Sequence, residues 1–232
     1  MSAPKNIEAS FDLLVVGAGP GGMAAATRGA MKGLSMGLVN GQRIWGYGIH
    51  GAYKSKGMYE LAKDHMVAQK PGRGYVPAAR QVDFHQVYDQ LITGSEELEA
   101  LYRQQIAVLG IHEIKGYAAF TDPQTVEVDG KLYRGKNVII ATGTKPRWLP
   151  TIEQDGQRIM SSDEIVSLQK LPESMLILGA GVIGCEFASI FNSFGCDVTL
   201  LDNEPAILSH EDDDVSEFIT GNFSQNGINI IS

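Results

Sequence analysis

The sequence predicts an α/β fold with two parallel-sheet domains in series, the first carrying a β-meander and the second partial. Three observations predict it. Residues 11–40, FDLLVVGAGPGGMAAATRGAMKGLSMGLVN, pass from an apolar run through a glycine-rich turn and an alanine-rich segment to a second apolar run, which reads as strand, turn, helix, strand. Residues 175–202 repeat that order. Between the two, the period of the apolar residues changes from helical to alternating over 107–140.

In the first of these stretches Gly17, Gly19 and Gly22 form G-x-G-x-x-G directly after the apolar run 13–16. The first glycine allows a tight turn, the second lets the backbone approach a pyrophosphate, and the third lets the helix lie close on the strand. Free N–H groups at the helix start, where Pro20 stands, then hold phosphates. Because strand and helix flank the glycines, the pattern becomes a dinucleotide-binding expectation. The small residues of 24–32 suit a helix against a sheet, and 34–39 supplies the next strand. Asn40 stands about 20 residues past the turn, where an Asp or Glu would bind a ribose. An amide both accepts from and donates to a ribose hydroxyl, without the strength of a charged acceptor. Asn40-Gly41 also reads as a plain strand end.

Residues 41–58 are punctuated by glycine and read as a loop entering a helix that continues to 67, and 69–79, with Pro71, Gly72, Gly74 and Pro77, as a loop. Residues 81–105 read as helical, since Val82, Val87, Leu91, Leu98 and Leu101 recur at near-helical spacing; one helix or two broken at Gly94 both fit. Within 107–140, Val126 and Val128 flank Glu127, Asp129-Gly130 signals a hairpin, and 138–140 is a fully apolar strand. Residues 144–150, with Pro146 and Pro150, form a connector, which divides the chain into 1–150 and 151–232. A short helix is expected over 160–171, bounded by Pro172. The repeat follows: strand 175–178, a second G-x-G-x-x-G at Gly179, Gly181 and Gly184, helix 186–194, strand 198–201 and a third strand at 228–232. Asp202 ends the second of these strands, where it would accept from both ribose hydroxyls and repel a 2'-phosphate, favouring NAD over NADP.

Bulk properties narrow the classes. A net charge of -8 with no Lys/Arg cluster argues against nucleic acid as a partner. The start MSAPKNIEAS lacks the charged and apolar regions of a secretory signal, and 13–16 is too short to span a bilayer, so the expectation is a cytoplasmic protein with no membrane partner. Cys185 and Cys196 have neither C-x-x-C nor zinc-ligand spacing and read as buried free thiols, with no metal site. The acids 211–214 lack calcium-loop spacing and read as the first turn of a helix. Gly33-x-Ser35-x-Gly37 has strand and helix in the wrong order for a hydrolase elbow. Residues 130–137 end in Asn137 instead of the Ser or Thr of a phosphate-loop ATPase.

Three motifs in order, VVGAGPGG, VIIATGTKPR at 138–147 and LGAGVIGCEFASIF at 178–191, resemble the pyridine nucleotide-disulfide oxidoreductase family, which includes lipoamide dehydrogenase, over nearly the whole chain. The resemblance implies a Rossmann-like FAD-binding domain followed by a partial Rossmann-like NAD-binding domain. It implies FAD on Gly17, Gly19, Pro20, Gly22, Asn40, Ala118, Thr142 and Gly143, and NAD on Gly179, Gly181, Gly184 and Asp202. The family's C-x4-C dithiol and Ile-Pro-Ser-Lys motif align with YGIHGAYKSK at 47–56, where Tyr47 and Ala52 occupy the cysteine positions. Without two thiols, no electron pair passes from flavin to a disulfide by the usual route. Ser55-Lys56 is retained, and the resemblance implies that Lys56 pairs with Glu186 beside the flavin, where a fixed cation stabilises electron density on the reduced ring. Lys56 also reads as an ordinary exposed lysine, and Glu186 as a residue favouring the positive end of its helix.

By the same resemblance the chain ends inside the second domain. It lacks the family's later Gly-Asp segment for FAD and the dimerisation domain with its His-Glu pair, so a homo-oligomer or a missing C-terminal half is the expected partner. The expectation is therefore an FAD-dependent NAD(H) oxidoreductase that passes electrons from NADH through FAD to a non-disulfide acceptor. The competing expectation is a non-catalytic, truncated nucleotide-binding or interaction protein.

Overall fold

The computed structural model describes residues 6–41, 43–72 and 82–232. The expected loop 69–79 beyond Gly72, and the expected helix start at Gln81, lie outside the described residues. In chain order the elements are β1 (Ile7–Val16), α1 (Pro20–Met31), β2 (Met36–Asn40), a π-helical turn (Gly48–Tyr53), α2 (Lys54–Ala68), α3 (Phe84–Val108), β3 (His112–Lys115), β4 (Ala119–Asp122), β5 (Thr125–Val128), β6 (Lys131–Ile140), α4 (Ser162–Ile165), β7 (Ser174–Leu178), α5 (Val182–Ser193), β8 (Asp197–Leu201), α6 (Asp213–Gln225) and β9 (Asn229–Ile231). Both repeats of strand, turn, helix and strand are present. The fold is two Rossmann-like α/β subdomains, one on a mixed sheet and one on a parallel sheet.

By contacts the chain divides into 1–53 with 93–153, and 54–92 with 154–232. The sequence suggests one cut near 150. The second unit instead recruits 54–92, because Met58 and Ala62 of α2 and Phe84, Val87 and Leu91 of α3 pack into the same apolar cluster as Phe187, Ile190 and Phe191 of α5 and Val198 and Leu200 of β8.

The first unit is a six-stranded sheet in the order β3-β2-β1-β6-β5-β4. The first three strands and β6 are parallel, while β4, β5 and β6 form the antiparallel meander. β3, which falls within the expected meander, pairs with β2 instead. β6 serves both parts: residues 131–134 pair with β5, and 132–140 run along β1. Asp129 and Gly130, at φ 47° and 82°, make the expected tight hairpin between β5 and β6. β1 starts at Ile7, six residues before the apolar run, because Ile7, Ala9 and Phe11 alternate with polar residues along β6.

Two other expectations change, and one open alternative is decided. Residues 48–53 are helical and run straight into α2. Their glycines serve close packing: a Cβ on Gly48 would lie 2.6 Å from the Pro20 ring, and one on Gly51 2.2 Å from the Tyr47 ring. α3 is one helix through Gly94, where a Cβ would stand 2.4 Å from the Tyr53 hydroxyl, so this glycine makes room for a neighbour and does not break the helix. The helix expected over 160–171 is only α4. It starts on a capping box between Ser161 and Glu164, and afterwards Val166, Leu168 and Leu171 turn to the core at a spacing that no helical stripe provides.

The second unit has three parallel strands in the order β7-β8-β9. Val198 and Leu200 face the cluster under α5, while the opposite face carries Leu176, 59% exposed, and Ile231, 47% exposed, with Leu178 in register with Leu201 and Ile231. Asp213 and Asp214 stand in the first turn of α6. Among the described residues no helix is long and apolar enough to cross a membrane.

Candidate functional site

Each unit builds a cradle where its first strand turns into its first helix. In the first, Gly17 sits at φ 110°, and a Cβ there would lie 2.2 Å from the Ala141 carbonyl oxygen and 3.0 Å from the Thr142 Cα. This contact, with the Ala141 N–H donating to the Val16 carbonyl at 2.8 Å, brings Thr142 and Gly143 beside the glycine turn. A Cβ on Gly22 would lie 1.8 Å from the Gly17 carbonyl oxygen, so helix and turn touch there. Around Gly19 and Gly21 the space is open, with no heavy atom within 4 Å of a built Cβ. Gly19 is also the N-cap of α1, without a side-chain cap hydrogen bond, and Pro20 follows it. The helix therefore presents backbone N–H groups to open space, the arrangement that takes an anionic phosphate.

The second cradle repeats these features. Gly179 is at φ 104°, a Cβ on Gly184 would lie 1.9 Å from the Gly179 carbonyl oxygen, and Gly181 is an N-cap with no side-chain bond and open space around it. Asp202, at the end of β8, accepts from the Ala180 N–H through Oδ2 and from the Glu204 N–H through Oδ1 at 3.1 Å. The bond from Ala180, followed by that from Glu204, holds its carboxyl below the usual carboxylate range. Asp202 thus braces the glycine turn as a carboxylate, with further lone pairs for a ribose.

Asn40 ends β2 as expected but is 5% exposed, and its Nδ2 donates to Glu113 Oε1 at 2.8 Å. The donor that sequence reasoning assigned to a hydroxyl is therefore engaged within the protein. Arg103 of α3 places Nη1 3.8 Å from the same Glu113 oxygen and Nη2 2.6 Å from Glu99, and Glu99 meets His50 Nε2 at 3.3 Å. Ala118 packs half-buried behind the meander, and the exposed Tyr117 ring lies against Gly41. Sequence reasoning did not find Glu113, Arg103 or Tyr117. The one pointer in the sequence is the amide at position 40, which asks where the acid has gone.

Lys56 and Glu186, 130 residues apart, meet in the second unit: Nζ lies 2.5 Å from Oε1. Ser55, itself buried, donates to the same oxygen at 3.3 Å. The Lys56 side chain is 65% exposed, so the pair adds little to stability, and its value is positional.

The positions where the resemblance leads a dithiol to be expected hold Tyr47 and Ala52, and the chain has no disulfide-forming cysteine pair. Cys185 and Cys196 are buried, and burial pushes each thiol up to about 11. Only about one thiol in a thousand is then ionised at pH 8, and the thiolate is the nucleophile. Iodoacetamide at pH 8 is therefore expected to leave the native protein unmodified over an hour and to add two groups in denaturant, as read by intact mass.

A family model described as pyridine nucleotide-disulphide oxidoreductase matches residues 11–232. The chain is 32% identical to a dihydrolipoyl dehydrogenase of Bacillus subtilis over 239 residues, covering 96% of this chain and 50% of the relative. It is 30% identical to increased recombination centers protein 15 of Saccharomyces cerevisiae, covering 93% and 46%. Among solved structures, the HOCl-induced flavoprotein disulfide reductase RclA of Escherichia coli superposes with a TM-score of 0.81 at 25% identity, covering 95% of this chain and 48% of that one. The chain spans about half the length of the curated relatives it matches.

Proposed function

The chain belongs to the pyridine nucleotide-disulphide oxidoreductase family, and from that premise we propose that it is the nucleotide-binding portion of a flavoprotein oxidoreductase that uses NADH and FAD and passes electrons to an acceptor other than a disulfide. The observation that carries this reading is the pair of glycine cradles, each opening on a helix start that no side chain caps. FAD, when bound, supplies the two-electron chemistry. Gly17, Gly19, Pro20 and Gly22, with Thr142 and Gly143, would seat its pyrophosphate, and Asn40 and Ala118 its adenosine. Gly179, Gly181, Gly184 and Asp202 would seat NAD. Lys56, steered by Glu186, would set a cation for the flavin, and the protein's contribution would be mainly positioning and electrostatics. Tyr47 and Ala52 close the dithiol route.

The test is the visible spectrum of the purified chain before and after anaerobic NADH. A flavin band near one equivalent that bleaches is the expected result; no flavin, even after incubation with FAD, would sink the proposal. Lys56→Met is expected to keep the flavin band and to slow its bleaching by roughly tenfold, about 1.4 kcal/mol of transition-state stabilisation, as measured by stopped flow.

A second reading, a nucleotide-binding interaction protein without catalysis, is favoured by the bare apolar face of the second sheet at Leu176, Leu178 and Ile231. Flavin that binds but does not bleach with NADH would select it.

A further inference from the structure

We propose that Glu113 supplies the charged acceptor missing at Asn40, so that the two residues together hold the ribose diol of the adenine dinucleotide in the first unit. The inference rests on the FAD reading above. In a doubly wound sheet the ribose acid stands at the end of the second strand, where one carboxylate accepts from two neighbouring hydroxyls. Here that position is an amide. Its neighbour on the sheet is β3, which runs parallel to β2 with Leu38 opposite Glu113. Paired residues share a face, and so do Leu38 and Asn40 two positions on, so Glu113 and Asn40 project from the same side.

Their contact fixes what they offer. A carboxylate only accepts, so the 2.8 Å bond to Glu113 Oε1 must come from the Asn40 nitrogen, and the amide orientation follows from chemistry. Asn40 Oδ1 is turned elsewhere and carries no hydrogen bond among the described residues. On Glu113, the contacts from Asn40 and Arg103 both fall on Oε1, and Oε2 carries none among the described residues. The pair therefore presents two acceptors, Asn40 Oδ1 and Glu113 Oε2, and a vicinal diol brings two donors. Arg103 does not cancel the charge: its guanidinium sits 2.6 Å from Glu99 and 3.8 Å from Glu113. Lys115 stands opposite Asn40 in the register, so the acceptor role rests on the two oxygens left without a protein donor among the described residues and not on the net charge around them.

The experiment titrates flavin-free protein with FAD and with the analogue that carries 2'-deoxyadenosine, following flavin fluorescence. Wild type is expected to prefer FAD by about tenfold, the scale of a hydrogen bond to a charged group. Glu113→Gln is expected to bring that ratio close to one, and Asn40→Asp/Glu113→Gln to restore it by returning the charge to β2. Asn40→Asp alone sets two carboxylates at the 2.8 Å contact and is expected to weaken FAD binding. A Glu113→Gln protein that keeps the wild-type ratio, or a wild type without preference, overturns the inference and leaves the flavin reading standing. A wild type that binds neither ligand overturns both. If Glu113→Gln does not fold, Glu113→Asp, whose carboxylate is set back by one carbon, is expected to lower the ratio, and an unchanged ratio there counts against the inference.

Discussion

Gly22→Ala is expected to destroy both the first cradle and its ligand binding, whereas Gly19→Ala three residues earlier leaves the fold intact and removes binding alone. The contrast follows from what a single added carbon meets. At Gly22 it lies 1.8 Å from the Gly17 carbonyl oxygen, a backbone atom that cannot step aside without moving the strand end or the helix. Overpacking of that kind costs about 1–3 kcal/mol and more where backbone must yield. At Gly19 the carbon meets nothing within 4 Å, and the backbone at φ -73°, ψ -177° suits any residue. Its stability change is expected within about 0.5 kcal/mol, yet it occupies the space through which, on the proposed function, a pyrophosphate would approach the N–H groups of α1. Thermal melts paired with FAD titration check this. Equal melting and equal FAD affinity for Gly22→Ala and wild type would remove the cradle from the account.

Phe191→Ala is expected to cost about 3–5 kcal/mol, the range for emptying a fully buried aromatic site. Phe191 has no exposed surface and stands among Phe84, Phe187, Ile190 and Val198. Its ring centroid is 6.1 Å from that of Phe84 and 6.4 Å from that of Phe187. The surroundings cannot collapse into the gap, because α5 is held on β8 by its other buried residues, while Phe84 already packs edge-to-face on Phe194 at 5.5 Å. A fall in melting temperature on the order of 10 °C would follow for a chain of this size, and a fall of one or two degrees would show that the cluster is not a close-packed core.

What the sequence makes legible is what is local. Both strand–turn–helix units can be read because glycine spacing and apolar runs act over a few residues, and the Asp129-Gly130 hairpin because two residues carry the whole turn. The first half of β1 is hidden because the alternation of Ile7, Ala9 and Phe11 with Glu8, Ser10 and Asp12 is short beside the continuous apolar run that follows it, and its partner strand lies more than a hundred residues away. The glycines of 48–53 mislead for a different reason: Gly48 and Gly51 are small to admit Pro20 and Tyr47, not to bend a loop. Of the candidate site, the Lys56–Glu186 pair was reached only through resemblance to the family, since nothing in spacing joins residues 130 apart. Glu113 was not reached at all, because its meaning comes from the strand beside it.

β6 has a consequence for how this unit tolerates change in length. The strand is a ruler laid between the hairpin at Asp129-Gly130 and the Ala141 carbonyl that faces Gly17. Its length is counted in residues and clamped at both ends, along β5 and along β1. One residue gained or lost within it would turn every later side chain to the opposite face and carry Ala141 and Thr142 off their marks. Surface loops elsewhere in the chain can grow or shrink at small cost, but this interval is measured, and drift in the meander would be felt at the glycine turn.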